Sequence, residues 1–292
     1  MTIPQAPRSV IAPLFAGLCD DAAIFPPGDL PLPQAVPAHL AHRTAWYAEL
    51  VGPFLCGAGR LDALAEQVGE GELAIGLIVP NGSTGLEPAL RAVAADPRLR
   101  IAGLEVLADQ DGTAAEGVRK VRTTLDKLLP QYAPDITAAV EVARGPELLL
   151  ALDELEGSGY RAKFRTGGTT EAAFPGELEL ASFLYAAVYR RLAVKCTAGL
   201  HHALRHTDAA TGFEHHGFLN VLLATHAALG GAEHGDLAAL LGERDGEVIA
   251  ARLAELDEQQ AGAARAAFTG FGTCSIAEPL ADLIALGLVT IP

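Results

Sequence analysis

The feature of this chain that most restricts its fold is an alternation. A short apolar run rich in β-branched residues is followed by a longer stretch of helical periodicity, and the pair repeats eight times. The strand-like runs fall at 18–25, 51–58, 72–80, 100–108, 135–143, 160–168, 191–199 and 266–275. The first is the weakest, because Asp20-Asp21 interrupts it. Helical periodicity marks 33–49, 60–69, 84–96, 113–129, 146–156, 176–190, 213–242, 246–267 and 277–287. Strand then helix predicts a parallel sheet, and closing eight strands into a barrel removes both exposed edges. The expected fold class is therefore α/β, a single (β/α)8 TIM barrel over residues 1–292 with its site at the C-terminal mouth of the strands. An open doubly wound sheet is the alternative, but it calls for a GxGxxG turn after an early strand, and none is present. The stretch at about 200–265, between strands seven and eight, has room for two or three helices. It is expected to be a helical insertion over the barrel mouth.

Composition is consistent with one large folded domain. Half of the 292 residues are hydrophobic and 20% are charged, enough for a sizeable core and too apolar for disorder. No apolar run reaches the roughly 20 residues of a membrane span. The N-terminal MTIPQAPRSVIAPLFAG lacks a basic n-region and runs into Asp20-Asp21, so no signal peptide is expected. Cys19, Cys56, Cys196 and Cys274 are scattered and form no CxxC pair, which predicts reduced thiols and a cytoplasmic location. A net charge of -15 opposes nucleic acid and anionic membranes as partners. A small anionic molecule in a locally basic pocket, and assembly into a homo-oligomer, remain compatible with it.

Side chains alternate along a strand, so parity sorts each strand into a row facing the barrel and a row facing the helices. In strand six, Tyr160, Ala162 and Phe164 oppose Arg161, Lys163 and Arg165; in strand seven, Leu192, Val194 and Cys196 oppose Ala193, Lys195 and Thr197. In strand four, Leu104 and Val106 oppose Gly103, Glu105 and Leu107; in strand five, Ile136, Val140 and Val142 oppose Thr137, Ala139 and Glu141. The bulky apolar rows must meet the helices, which sends Lys163, Arg165, Lys195, Glu105 and Glu141 inward. Most barrels fill that space with Val, Ile and Leu. Unpaired, each buried ion would cost on the order of several kcal/mol, so these groups must pair with one another or with a ligand. Ion pairs that merely fill the barrel are one explanation; a site near the C-terminal strand ends is the other.

Strands six to eight end in RTGG, TAG and GTCS. Loops after strands seven and eight commonly cradle phosphate in this fold, and glycines there let backbone N–H groups approach an anion. Ser275 stands where it would cap the following helix. Between Arg161 and His206 seven Lys or Arg face three Glu, a local excess of four positive charges in an acidic chain. Candidate anion ligands are Arg165, Thr166, Gly167, Gly168, Thr197, Gly199 and Ser275, with His201 and His202 after strand seven as acid/base or anion contacts. Glycine also serves tight βα turns without any ligand. His206, His215 and His216 add to the histidine cluster, yet no HxH, HExxH or paired-carboxylate motif accompanies it. No metal and no cofactor are expected, with a divalent metal kept as an alternative.

Two segments resemble a known family. Lys163-Phe-Arg-Thr-Gly is similar to the KTSTG segment of deoxyribose-phosphate aldolases, and Lys195-Cys-Thr-Ala-Gly-Leu to their KASGGI-type segment one strand later. Asp20 stands where the family has an early Asp, Glu105 where it has an Asp on strand four, and Gly272-Thr-Cys-Ser275 resembles its G-[TS]-S at strand eight. The resemblance implies Lys163 as the Schiff-base amine, Lys195 as the neighbouring cation that lowers its pKa, Glu105 in a proton relay, and Gly167, Gly199 and Ser275 at a phosphate site. Arg165 replaces a small residue of the family.

Three functions follow from these residues. The first is a cofactor-independent class I aldolase-like lyase on a small phosphorylated or carboxylated carbonyl compound, with Lys163, Lys195, Glu105, Glu141 and Asp20 catalytic. The second is another barrel enzyme (isomerase, decarboxylase or metal-assisted hydrolase) with Glu105 or Glu141 as base and Lys163/Arg165 as anion clamp. The third is a non-catalytic barrel that binds a small anion.

Overall fold

A computed structural model describes residues 11–292. Residues 1–10, part of the N-terminal run read against a signal peptide, lie outside the described residues. The chain runs β1 (Cys19–Asp21), α1 (Leu32–Thr44), β2 (Val51–Gly57), α2 (Leu61–Ala65), β3 (Leu73–Val79), α3 (Gly82–Ala95), β4 (Leu99–Leu107) and α4 (Ala114–Tyr132). It continues with β5 (Ala138–Glu141), α5 (Leu148–Leu155), β6 (Arg161–Arg165), α6 (Glu177–Tyr189), β7 (Val194–Thr197), β8 (His206–Thr207) and β9 (Glu214–His215). The last elements are α7 (Phe218–Leu229), α8 (His234–Gly242), α9 (Gly246–Ala254), α10 (Glu258–Ala267), β10 (Phe268–Thr273) and α11 (Ala277–Ala285). Eight parallel strands close in the order β1-β10-β7-β6-β5-β4-β3-β2, while β8 and β9 form a separate antiparallel pair. The expected (β/α)8 barrel is the fold of this protein.

Local chemistry explains the elements. Helix α4 starts at a reciprocal capping box, Thr113 with Glu116, and buries Val118, Val121, Leu125 and Leu128 at helical spacing. Strand β1 is short, yet Asp20 still pairs in register with Gly272 and Asp21 with Thr273. The apolar rows of the strands meet the helices: Phe164 stacks on Phe183 of α6 at 4.3 Å, and Phe271 on Phe218 of α7 at 5.0 Å. Full burial of a side chain of this size contributes roughly 1.5–3 kcal/mol, so these rows fix which way each strand faces. Among the described residues no helix is long and apolar enough to cross a membrane.

The 200–265 stretch differs from its expectation. Its helices join the wall of the barrel: α7 packs against β10 and α6, α8 against α6 and α7, α9 against α7, and α10 against β10. The reason is burial, since α7 hides Phe218 through Thr225 without a break and has no polar face to turn to solvent. The helical run read at 213–242 is split by Gly230-Gly231, with Gly231 at φ +84°, and begins with the β8–β9 hairpin. The run at 246–267 is split where Asp257 opens α10 with its own capping box.

One sector of the barrel interior is apolar. Pro53 and Leu55 point inward from β2, and Leu55 lies where any side chain at Gly76 would sit: a Cβ there would fall 2.4 Å from Leu55 Cδ2. Two strands round the barrel, a Cβ on Gly272 of β10 would fall 3.0 Å from Leu55 Cδ1. Glycine at these positions makes the room that Leu55 fills.

Candidate functional site

The remaining interior is charged. Asp20 of β1 pairs with Lys195 of β7, whose Nζ also lies 2.6 Å from Glu105 Oε1 of β4. The other oxygen of Glu105 pairs with Lys163 of β6, whose Nζ lies 2.9 Å from Glu141 Oε2 of β5. Arg165 Nε closes the chain at 3.0 Å from Glu141 Oε1. Strand register brings this about: Lys163 is the Cα partner of both Glu141 and Lys195, and all three alternate inward with their strands. The structure thus brings the five expected catalytic residues and Arg165 into one network. Three carboxylates meet three cations, so the cluster is electroneutral, the arrangement that makes burial of so many ions tolerable. Lys163 is 2% exposed, whereas the Arg165 side chain is 47% exposed and marks the mouth.

The charges determine where protons reside. Burial alone would raise the Glu105 pKa, but the ammonium groups of Lys163 and Lys195 bring it down to about 2. Burial likewise opposes ionisation of Glu141, and Lys163 and Arg165 reverse it to a net lowering. At Asp20 burial prevails over the pull of Lys195 and the carboxyl is raised. Burial would lower Lys195, but Asp20 and Glu105 together hold its ammonium above the usual lysine range. The expected direct repulsion between two lysines is thereby corrected. Lys163 and Lys195 are neighbours, but their amines share Glu105, whose negative charge stands between them.

The loops expected to cradle an anion pack closely on one another. A Cβ on Gly167 would lie 2.7 Å from Gly199 Cα and 2.8 Å from the Phe174 ring, so these glycines let two loop backbones touch. Thr166 is fully buried, and its hydroxyl donates to the Ala198 carbonyl at 2.6 Å, with that of Thr197 at 3.2 Å. A Cβ on Gly168 would meet the Ala173 methyl at 2.7 Å. Ser275 Oγ accepts the Glu278 N–H at 3.3 Å at the start of α11. Thr197 is partly exposed at the end of β7, in register with Arg165.

The histidines engage α11 and one another. His201 Nδ1 lies 3.2 Å from Glu278 Oε2, and His202 Nδ1 3.1 Å from Asp282 Oδ2. His202 meets the His206 ring edge-on at 4.8 Å, and a cavity of about 350 Å³ opens beside them, lined also by Asp282 and Leu286. Among the described residues no group of three or more His, Cys, Asp or Glu side chains is arranged to hold a metal ion. His216 is fully buried between Pro175 O at 2.8 Å and Arg205 Nη1 at 3.3 Å. Burial and the Arg205 charge push its pKa down to about 4, from an ordinary 6.5. The unfolded chain therefore takes up this proton first, and the stability it confers is complete above pH 6.5 and declines as pH falls toward 4. At about 1.4 kcal/mol per pH unit, the loss at pH 5 is about 2 kcal/mol. Urea unfolding at pH 7.5 and 5.0 should show that decline reduced by a similar amount in His216→Gln; an unchanged decline would mean His216 is protonated when folded.

Sequence reasoning missed the cover of the site. Phe174 lies against Gly167 and Gly199, and the His215 ring from the β8–β9 hairpin stacks on it at 4.3 Å. Nothing in residues 206–215 has a period long enough to reveal this. It also missed Leu55, although Gly76 and Gly103 on the inner rows of β3 and β4 signalled that a bulky neighbour fills the space.

No protein-family model and no curated protein matches this sequence. Among solved structures, the tetrameric deoxyribose phosphate aldolase of Aeropyrum pernix is similar, with a TM-score of 0.50 and 14% identity over 93% of this chain and 92% of that one. At that identity the likeness shows the barrel fold and nothing finer.

Proposed function

We propose that this barrel is a class I aldolase-like lyase in which Lys163 forms a Schiff base with a small phosphorylated or carboxylated carbonyl compound. The observation that carries the reading is a buried lysine amine placed between two carboxylates inside an electroneutral network. Passing the Lys163 proton to Glu141 leaves a free amine and a neutral acid without changing the cluster's net charge, so the step adds no unpaired ion to the barrel. The amine lone pair then attacks the carbonyl carbon; the oxygen takes up protons and leaves as water, giving an iminium ion. Cleavage of the next bond, between the α and β carbons, sends its electron pair into the iminium as an enamine. The β-hydroxyl proton goes to Glu141, and an aldehyde departs. Protonation of the enamine carbon and hydrolysis free Lys163. Asp20, Lys195 and Glu105 hold the charge of the network and relay protons behind it. The fold shared with an aldolase supports this reading. It extends to a cytoplasmic enzyme with reduced thiols, in keeping with four free cysteines, and to assembly as a homo-oligomer.

One observation favours a second reading. Each lysine amine forms ion pairs with two carboxylates. A lysine that stays charged would clamp an anion together with Arg165, leaving Glu141 as the base of an isomerase or decarboxylase. Reductive trapping separates the two. Incubation with small aldehydes and ketones plus cyanoborohydride should attach the reduced carbonyl to the peptide containing Lys163. No adduct across the panel, or adducts only at surface lysines such as Lys120 or Lys127, would overturn the first reading in favour of the second.

A further inference from the structure

Two cations of the network share one carboxylate. Lys163 Nζ and Arg165 Nε contact the two oxygens of the same carboxylate, Glu141, at 2.9 Å and 3.0 Å. The two residues are successive inward positions of β6, with Cα atoms about 7 Å apart. Arg165 uses only Nε for this pair; among the described residues no acceptor faces Nη1 or Nη2, and the half-exposed guanidinium leaves that edge open to the mouth. Farther out, at the loop ends, Thr166 donates its hydroxyl to the Ala198 carbonyl and Ser275 Oγ accepts the Glu278 N–H. The backbones of Gly167 and Gly199 are packed on one another and on Phe174.

We propose that the substrate carbonyl belongs to a short-chain 2-oxo acid, whose carboxylate binds the free edge of the Arg165 guanidinium while its carbonyl carbon meets Lys163. This rests on the Schiff-base reading and narrows it. In a 2-oxo acid the carboxyl carbon is bonded directly to the carbon that Nζ attacks, so it stays within reach of a guanidinium anchored on the same glutamate. A phosphate at the far end of a sugar chain would lie well beyond that edge. Arginine suits the task because its planar fork meets a carboxylate with two parallel hydrogen bonds. The carbon end of the acid turns toward Pro53 and Leu55, which line the opposite sector of the barrel, since β2 stands diametrically across from β6 in the strand order. Iminium formation balances as before: the C–N bond forms, the C2–O bond breaks, and two protons of the ammonium leave on the departing water, one of them by way of Glu141.

The test compares pyruvate with its methyl ester, the same skeleton without the charge, in cyanoborohydride trapping at Lys163. The ratio of labelling rates is taken within each protein, so changes in amine reactivity cancel. Arg165→Gln should lower the pyruvate-to-ester ratio by about 10- to 100-fold, the loss expected for a charge-assisted hydrogen-bonded pair. Arg165→Lys, which keeps the charge but not the fork, should lower it less. Labelling of Lys163 with a ratio that Arg165→Gln leaves unchanged would overturn the 2-oxo acid assignment and leave the Schiff base standing. No labelling by pyruvate, its ester, acetaldehyde or acetone would overturn the Schiff-base reading, and this assignment with it.

Discussion

Glu105→Gln should destabilise the protein by about 3–5 kcal/mol, the loss typical of breaking a buried ion pair on one side. Glu105 is 1% exposed and serves two lysines at once, so its removal leaves a barrel interior with one uncompensated positive charge. Both lysines are buried, and each falls back on a single carboxylate, Glu141 or Asp20. The effect carries a pH dependence whose sign follows from the native pKa. Glu105 titrates near 2 when folded, against an ordinary 4.5, so its stabilising effect is full above pH 4.5 and fades as pH falls toward 2. Urea titrations from pH 7 down to 3 should show the gap between wild type and Glu105→Gln narrowing below pH 4.5. A gap under about 1 kcal/mol at pH 7 would show that the lysines do not depend on this carboxylate, and the network description would be wrong.

Lys163→Met should cost far more in chemistry than in folding. Without the amine there is no covalent route, and losses of about 10³-fold or more are usual when a nucleophile is removed. Folding is expected to survive, because Glu105 keeps Lys195 and Glu141 keeps Arg165. Asp20, already raised by burial, can take up a proton to restore neutrality. The measurement needs no knowledge of the aldehyde partner. An enamine at Lys163 exchanges the methyl protons of pyruvate with deuterium from solvent, and proton NMR follows the exchange. Wild type should exchange, Lys163→Met should fall to the uncatalysed rate, and Glu141→Gln should retain labelling but exchange roughly 10²–10⁴ times more slowly. Equal exchange by wild type and Lys163→Met would remove Lys163 from the mechanism.

How far the sequence foretold this arrangement depended on periodicity. The alternation of strand and helix carried the closed barrel, and parity within strands four to seven placed Lys163, Lys195, Glu105 and Glu141 on inner rows, because Phe164, Val194, Leu104 and Val140 had to face helices. What parity cannot supply is the distance between rows of different strands. That Glu105 lies between the two lysines follows from the stagger of β4, β6 and β7 around the barrel, a property of closure. The loop glycines are ambiguous for a different reason. Gly167 and Gly199 read alike whether a ligand or a neighbouring backbone comes close, and the close approach of their two backbones could not be read from either segment alone. The β8–β9 hairpin has two residues per strand, too few for any alternation to register.

The apolar sector opposite Lys163 bears on handedness. A planar enamine held at that amine would have carboxylates toward one surface and the hydrocarbon of Pro53 and Leu55 toward the other. Proton and aldehyde would then arrive from the carboxylate surface alone, and an enamine carbon that bears a substituent would become a stereocentre of one configuration. Leu55 holds its place because residues 76 and 272 are glycines. Two positions that touch neither substrate nor proton would thus decide which mirror image the barrel makes.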